Sequence, residues 1–317
     1  MGPGSYRHIF KLLKHVFENF FRRPVIAALA AVLIVLPACG ERTVESPEAT
    51  PAQAQPPATE SPEGASPSPS PIPTGMPAMD TPESAATELI AAEQAIRSPD
   101  TDPALLPRLG RIQQAAYRKA SADPAVKQAA LDRAPPGLRD SLAANIKAGE
   151  ELRRLTKPGT RLPDWNIVEP APTDELRRYY AEAEAEFGIP WAYLASIHLI
   201  ETRMGRIRGT SSAGAQGPMQ FMPSTWAAYG RGDINDTRDA IFGAARYLKA
   251  SGAPGNMDRA LFAYNHSQYY VDAITIYAQE MLKDERAFLG YYHWQVYYRL
   301  PTEDVLLEPG YTAPAAP

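Results

Sequence analysis

Pro190-Trp-Ala-Tyr-Leu-Ala-Ser-Ile-His-Leu-Ile-Glu201 leads through Thr202-Arg-Met-Gly205 into Gly209-Thr-Ser-Ser-Ala-Gly-Ala-Gln-Gly-Pro-Met-Gln-Phe-Met-Pro-Ser-Thr-Trp226. In the first part, Trp191, Tyr193, Leu194, Ile197, Leu199 and Ile200 place apolar side chains on nearly every face of a helix that Pro190 opens. Such a helix belongs at the centre of a mainly helical core. Glu201 follows four residues after Ile197 and seven after Leu194, on a face expected inside or at the edge of a cleft. Gly205 ends the helix within a turn, so burial and the negative helix end both act to raise the pKa of this carboxyl. A carboxylic acid kept protonated near neutral pH suits general acid catalysis. Pairing of Glu201 with Arg203 or Arg206 is the competing reading of the same position.

The second part combines three glycines with small polar residues, a composition that lets backbone approach a ligand closely. Met219-Gln-Phe-Met-Pro223 then turns into a new helix for which Ser224 or Thr225 is the expected cap. Glu201, the run Gly214-Ala-Gln-Gly-Pro-Met-Gln220, and Ala263-Tyr-Asn265 stand in the order and spacing of the catalytic domain of lytic transglycosylases, and the chain resembles that family over residues 176–282. The resemblance implies a lysozyme-like fold shared with goose-type lysozyme. It implies Glu201 as the catalytic acid and base, and Thr202, Gln216, Met219, Gln220, Tyr264 and Asn265 as substrate-binding residues, with Tyr264 and Asn265 facing the carboxyl. Thr202 stands where Ser is common, Pro218 where Leu is usual, and His266-Ser267 where smaller residues are found.

Ordinary glycosidases need two carboxyl groups flanking the scissile bond. Asp233, Asp236 and Asp239 are the nearby candidates, and sequence places none of them opposite Glu201. The resemblance instead implies a one-carboxylate cleavage of the MurNAc-GlcNAc bond of peptidoglycan that gives a 1,6-anhydro end. A hydrolytic muramidase and a non-catalytic peptidoglycan-binding lipoprotein are the alternatives. The implied partner is the glycan strand, and no cofactor is called for.

Working outward, Leu176, Tyr179, Tyr180, Ala183 and Phe187 have helical spacing, and Gly188 closes that helix. Residues 161–290 are assigned to the lysozyme-like domain. Upstream, residues 85–160 form a helical N-terminal extension in which Pro103, Pro124 and Pro135-Pro136 separate several helices. It carries no catalytic constellation and is expected to pack on the lysozyme-like domain. Residues 158–173 read as an ordered connector around Trp165 and Ile167.

Residues 40–84 are dominated by Pro, Ala, Ser, Thr and Glu and contain too little apolar surface to offset chain entropy, which predicts a disordered tether. Residues 1–39 carry basic residues, an apolar run from Val25 to Leu36 too short for a comfortable span, and then Leu36-Pro-Ala-Cys39. That pattern resembles a lipoprotein signal. It predicts an extracytoplasmic protein held to the cell membrane by lipid on Cys39, the only cysteine.

Residues 291–317 form an aromatic C-terminal segment. Tyr292, Trp294, Val296 and Tyr298 alternate as in a strand, and Val305-Leu-Leu307 is the expected partner in a small β-hairpin. A sugar-stacking edge and an aromatic cap over helix ends are the two readings. With 32 basic and 36 acidic residues, a net charge of -4 gives no overall positive field for nucleic acid. The 233–239 stretch lacks the central Gly and closing Glu of a calcium loop and suits helix capping; the five histidines have no zinc spacing, so no metal is expected.

Overall fold

A computed structural model describes residues 75–313. The expected export segment, Cys39 and most of the 40–84 tether lie outside the described residues. Helix α1 (Pro82–Arg97) opens on a reciprocal capping box between Thr81 and Ser84. A 3₁₀ turn over Pro103–Leu105 leads into α2 (Leu106–Ala120), and α3 (Pro124–Arg133) and α4 (Pro136–Leu155) come next. A proline sits in the first turn of each of the four helices, where its missing N–H costs no intrahelical bond.

The connector forms strand β1 (Asn166–Ile167), antiparallel to β2 (Ile207–Arg208). Helix α5 (Thr173–Phe187) ends on Gly188 in the left-handed conformation at φ 72°. Helix α6 (Trp191–Thr202) has Pro190 as its N-cap rather than inside its first turn, and only Ile200 and Glu201 along it are not fully buried. Then come α7 (Pro223–Tyr229), α8 (Thr237–Ala250), α9 (Met257–Tyr264), α10 (Gln268–Lys283) and α11 (Ala287–Tyr292). Met222, not Ser224 or Thr225, is the N-cap of α7: Pro223 fixes the helix start and leaves those hydroxyls inside it.

The C-terminal hairpin pairs β3 (Val296–Arg299) with β4 (Asp304–Leu307), Val296 opposite Leu307. Its strand starts later than the aromatic alternation suggests. Tyr292 ends α11, whose buried Phe288 and Tyr291 keep the helical i, i+3 spacing, and Trp294 lies in the turn beyond. The architecture is therefore mainly helical with one small C-terminal hairpin, as expected.

One apolar cluster runs through α1–α4 and α5–α11, so the N-terminal helices share a core with the rest of the helices. Helix α10 packs on both α4 and α6. Polar side chains bind the same junction. Glu93, fully buried on α1, accepts from Gln113 Nε2 at 3.0 Å and from Tyr117 OH, and pairs with Arg97 Nε at 2.9 Å. Arg97 reaches across to Glu280 at 3.0 Å and Asp284 at 3.1 Å. Trp294 is 5% exposed and donates to Gln113 Oε1 at 2.8 Å, and Gln114 exchanges two bonds with the backbone of Gln295. Trp294 is thus a clasp over helices and holds no sugar-facing surface.

Candidate active site

Because α6 is buried on almost every side, its last turn can present little to solvent, and Glu201 is the polar group it presents. The side chain is partly accessible while protein crowds its carboxyl. Burial pushes the pKa from 4.5 up to about 7, and a hydrogen bond from Tyr270 acts in the opposite direction. No neighbouring carboxylate contributes to the rise. Neither Arg203 nor Arg206 pairs with Glu201. Arg206 is 2% exposed and is consumed by Glu169 at 2.7 Å and by the carbonyls of Tyr292 and Trp294. Its guanidinium instead ties the connector to the C-terminal segment.

Tyr270 on α10 donates from its phenol to Glu201 Oε1 at 2.8 Å. Sequence reasoning missed it, because Tyr270 belongs to the apolar stripe Tyr270, Val271, Ile274, Tyr277 and Met281 and looks like core. The one available signal was chemical: a buried tyrosine needs a partner for its hydroxyl. Tyr264 lies beside it, ring planes 6° from parallel with centroids 6.3 Å apart. Its own hydroxyl donates to the Met219 carbonyl at 2.7 Å. Burial and the charge of Glu201 both push the phenols of Tyr264 and Tyr270 well above their ordinary pKa, so both remain donors.

The 209–222 loop is locked to the end of α6. Thr202, with no exposure, donates to the Pro218 carbonyl at 2.6 Å and accepts from Gly205 N–H at 3.1 Å. Gln216 and Phe221 exchange backbone bonds across a tight reversal, at 2.9 and 2.8 Å. Gly217 has φ 74°, and a Cβ there would fall 2.0 Å from the Ile234 carbonyl oxygen, so only glycine fits. Gln220 takes the left-handed conformation at φ 50° and donates to Gly217 O at 3.0 Å.

Residues 178–283 match the family model of the transglycosylase SLT domain. The chain is also 33% identical over 135 residues to a protein of Thiobacillus denitrificans named membrane-bound lytic murein transglycosylase F. That stretch is 40% of this chain and 26% of the relative, so the chain spans about a quarter of the relative's length. No solved structure matches the chain.

Within the SLT segment the structure brings Glu201, Tyr264 and Tyr270 together, with Met219 behind them. Met219 and Thr202 have no accessible surface, so here they hold the loop and do not face solvent. Gln216, Gln220 and Asn265 are partly exposed. Asn265 closes α9 through its N–H to Leu261 O at 3.1 Å. The acidic stretch caps α8, Asp236 accepting from Asp239 N at 2.8 Å, and Asp239 holds the preceding loop by accepting from Asp233 N at 2.9 Å. Among the described residues no group of three or more His, Cys, Asp or Glu side chains is placed to hold a metal. His198 is fully buried, its Nδ1 2.8 Å from Tyr180 OH, and burial lowers its pKa to about 3.

Proposed function

We propose that the chain cleaves the β-1,4 bond between MurNAc and GlcNAc in peptidoglycan, with Glu201 as its only acid and base and a 1,6-anhydro-MurNAc end as product. The observation that carries this reading is the lone, desolvated carboxyl of Glu201, raised to about 7 with no second carboxylate acting on it. Near neutral pH a substantial fraction of it holds a proton. Glu201 gives that proton to the bridging oxygen as the C1–O4 bond breaks, and the departing sugar leaves as an alcohol. The carboxylate then takes the proton of the C6 hydroxyl on the same MurNAc while O6 bonds to C1. The acid is regenerated and no water is consumed. Tyr270 holds the carboxyl in place through both halves and stabilises its ionised form between them.

The SLT match and the similarity to a protein named as a lytic murein transglycosylase support this substrate. Gln216, Gln220 and Asn265, which keep accessible surface, are the residues assigned to the sugar; Thr202, Met219 and Tyr264 shape the site from beneath. The Cys39 sequence pattern and the relative's description as membrane-bound support lipid anchoring outside the cytoplasm. Mass spectrometry of products from purified peptidoglycan tests the reaction. Anhydro-muropeptides are expected, whereas reducing-end muropeptides would mean a hydrolase and no products a binding protein.

A further inference from the structure

A cavity of about 300 Å³ lies between α2, α4, the last turn of α6, α10 and the C-terminal hairpin. That size is at the lower end for small-molecule sites. Most of its wall comes from residues outside the SLT segment, and Glu201 is not part of it. It contains five cationic side chains: Arg118, Arg153, Lys157, Arg203 and Arg299. Among the described residues Asp304 is the one carboxylate that pairs with any of them, bridging Arg118 and Arg153. The cavity therefore holds a surplus of positive charge, with Arg118 and Arg203 half-buried, which an anionic ligand would relieve.

Arg203 is the most telling member. It ends α6 in the left-handed conformation at φ 53°, where glycine is the usual occupant. Its Nη1 donates to the Leu199 carbonyl at 2.8 Å, and among the described residues it forms no ion pair. Burial pushes its pKa down to about 10; Tyr277 acts against that fall and the like charge of Arg118 adds to it. The walls beside these charges are apolar or aromatic: Leu152, Trp165, Ile200, Tyr277 and Trp294. A planar guanidinium in a lining shared with apolar and aromatic side chains suits a carboxylate borne on an organic body better than a bare inorganic anion.

We propose that this cavity binds the carboxylate-bearing peptide of the cell-wall polymer. The choice of a wall peptide rests on the reaction proposed above, because peptide stems supply the carboxylates of that substrate. The location agrees with it. Tyr277 in the cavity wall stands seven residues beyond Tyr270 on the same face of α10, about 10 Å along the helix, close to the length of an extended tripeptide.

The test is equilibrium binding to the full chain, by calorimetry and by quenching of Trp165 and Trp294 fluorescence. The probes are the tripeptide L-Ala-γ-D-Glu-L-Lys, the same peptide with its carboxyls amidated, and inorganic phosphate. The free-acid tripeptide is expected to bind at least about tenfold more tightly than the amide, and Arg203→Met to weaken it by a similar factor, with Arg203→Lys intermediate. Should Arg203→Met not fold, as judged by circular dichroism, Arg153→Ala, in the same lining, is expected to weaken binding by about threefold. Equal binding of acid and amide, phosphate competing as well as the tripeptide, or no binding at millimolar tripeptide would each overturn the proposal. Binding is read without turnover. A chain that holds the peptide but releases no anhydro product would therefore sink the proposed reaction and leave the cavity assignment standing.

Discussion

Tyr270 OH stands 2.8 Å from Glu201 Oε1, and through this bond α10 restrains the carboxyl that α6 delivers. The bond opposes the effect of burial on the Glu201 pKa. A group that must give a proton and then take one needs both influences: burial to keep the acid, and a donor to stabilise the carboxylate once the proton has gone.

Tyr270→Phe and Tyr264→Phe should separate along that line. Loss of the Tyr270 hydroxyl removes the donor that lowers the Glu201 pKa, so the alkaline limb of the kcat/KM profile should move to higher pH and kcat should fall. Loss of the Tyr264 hydroxyl strips the Met219 carbonyl of its partner and should cost about 1–3 kcal/mol of stability with an unchanged alkaline limb. Denaturant melts beside pH-rate profiles check both. Identical profiles for wild type and Tyr270→Phe would remove Tyr270 from the mechanism.

Glu201→Gln should lower turnover of purified peptidoglycan by about 100- to 10,000-fold while binding to the wall persists. The amide keeps the shape and can accept from Tyr270, but it has no proton to donate. Retention of more than a few per cent of activity would reassign the acid.

Arg97→Ala should destabilise the protein by about 3–5 kcal/mol, because it leaves Glu93 buried without its counter-ion. Arg97 also crosses from α1 to Glu280 and Asp284 at the end of α10. The common core further predicts one cooperative unfolding transition, with α1–α4 melting alongside α5–α11. Two resolved transitions in calorimetry would contradict it.

The order of elements was legible because its signals are local. Prolines announce helix starts at 124 and 136, Gly188 closes α5, and the all-round apolar sequence of α6 marks its burial. Glu201 stood out for the same reason, as one carboxylate at the end of an apolar helix. What stayed hidden depends on distant partners. Tyr270 lies 69 residues from Glu201 and has a core residue's spacing. Arg206 reads as a surface cation until Glu169 and two backbone carbonyls of the C-terminal segment close over it. The cavity is assembled from segments up to 185 residues apart, from Gln114 to Arg299, and no window of sequence contains it.

Cys39→Ser should release the protein from membranes into the soluble fraction, if lipid on the expected Cys39 is what holds it there. A single acyl chain binds membranes only marginally, so the native fraction should require more than one chain. Fractionation with labelled palmitate checks both; undiminished membrane retention of the processed variant would count against the anchor.

Glu201→Gln should also change stability, in a direction fixed by the raised pKa. The unfolded chain ionises this carboxyl near 4.5 and the native chain near 7. Between those values the native state binds more protons than the unfolded state, so the contribution of Glu201 to stability falls as pH rises from about 4.5 to 7 and is level above that. Glutamine carries no such proton. At pH 4 the variant and wild type should therefore differ only by the amide's own packing, whereas at pH 8 the variant should be more stable by about 3 kcal/mol relative to that baseline. Urea melts at the two pH values give the difference directly. A gap that stays constant across the range would mean that Glu201 ionises normally in the native protein, and the case for it as a neutral-pH acid would fail.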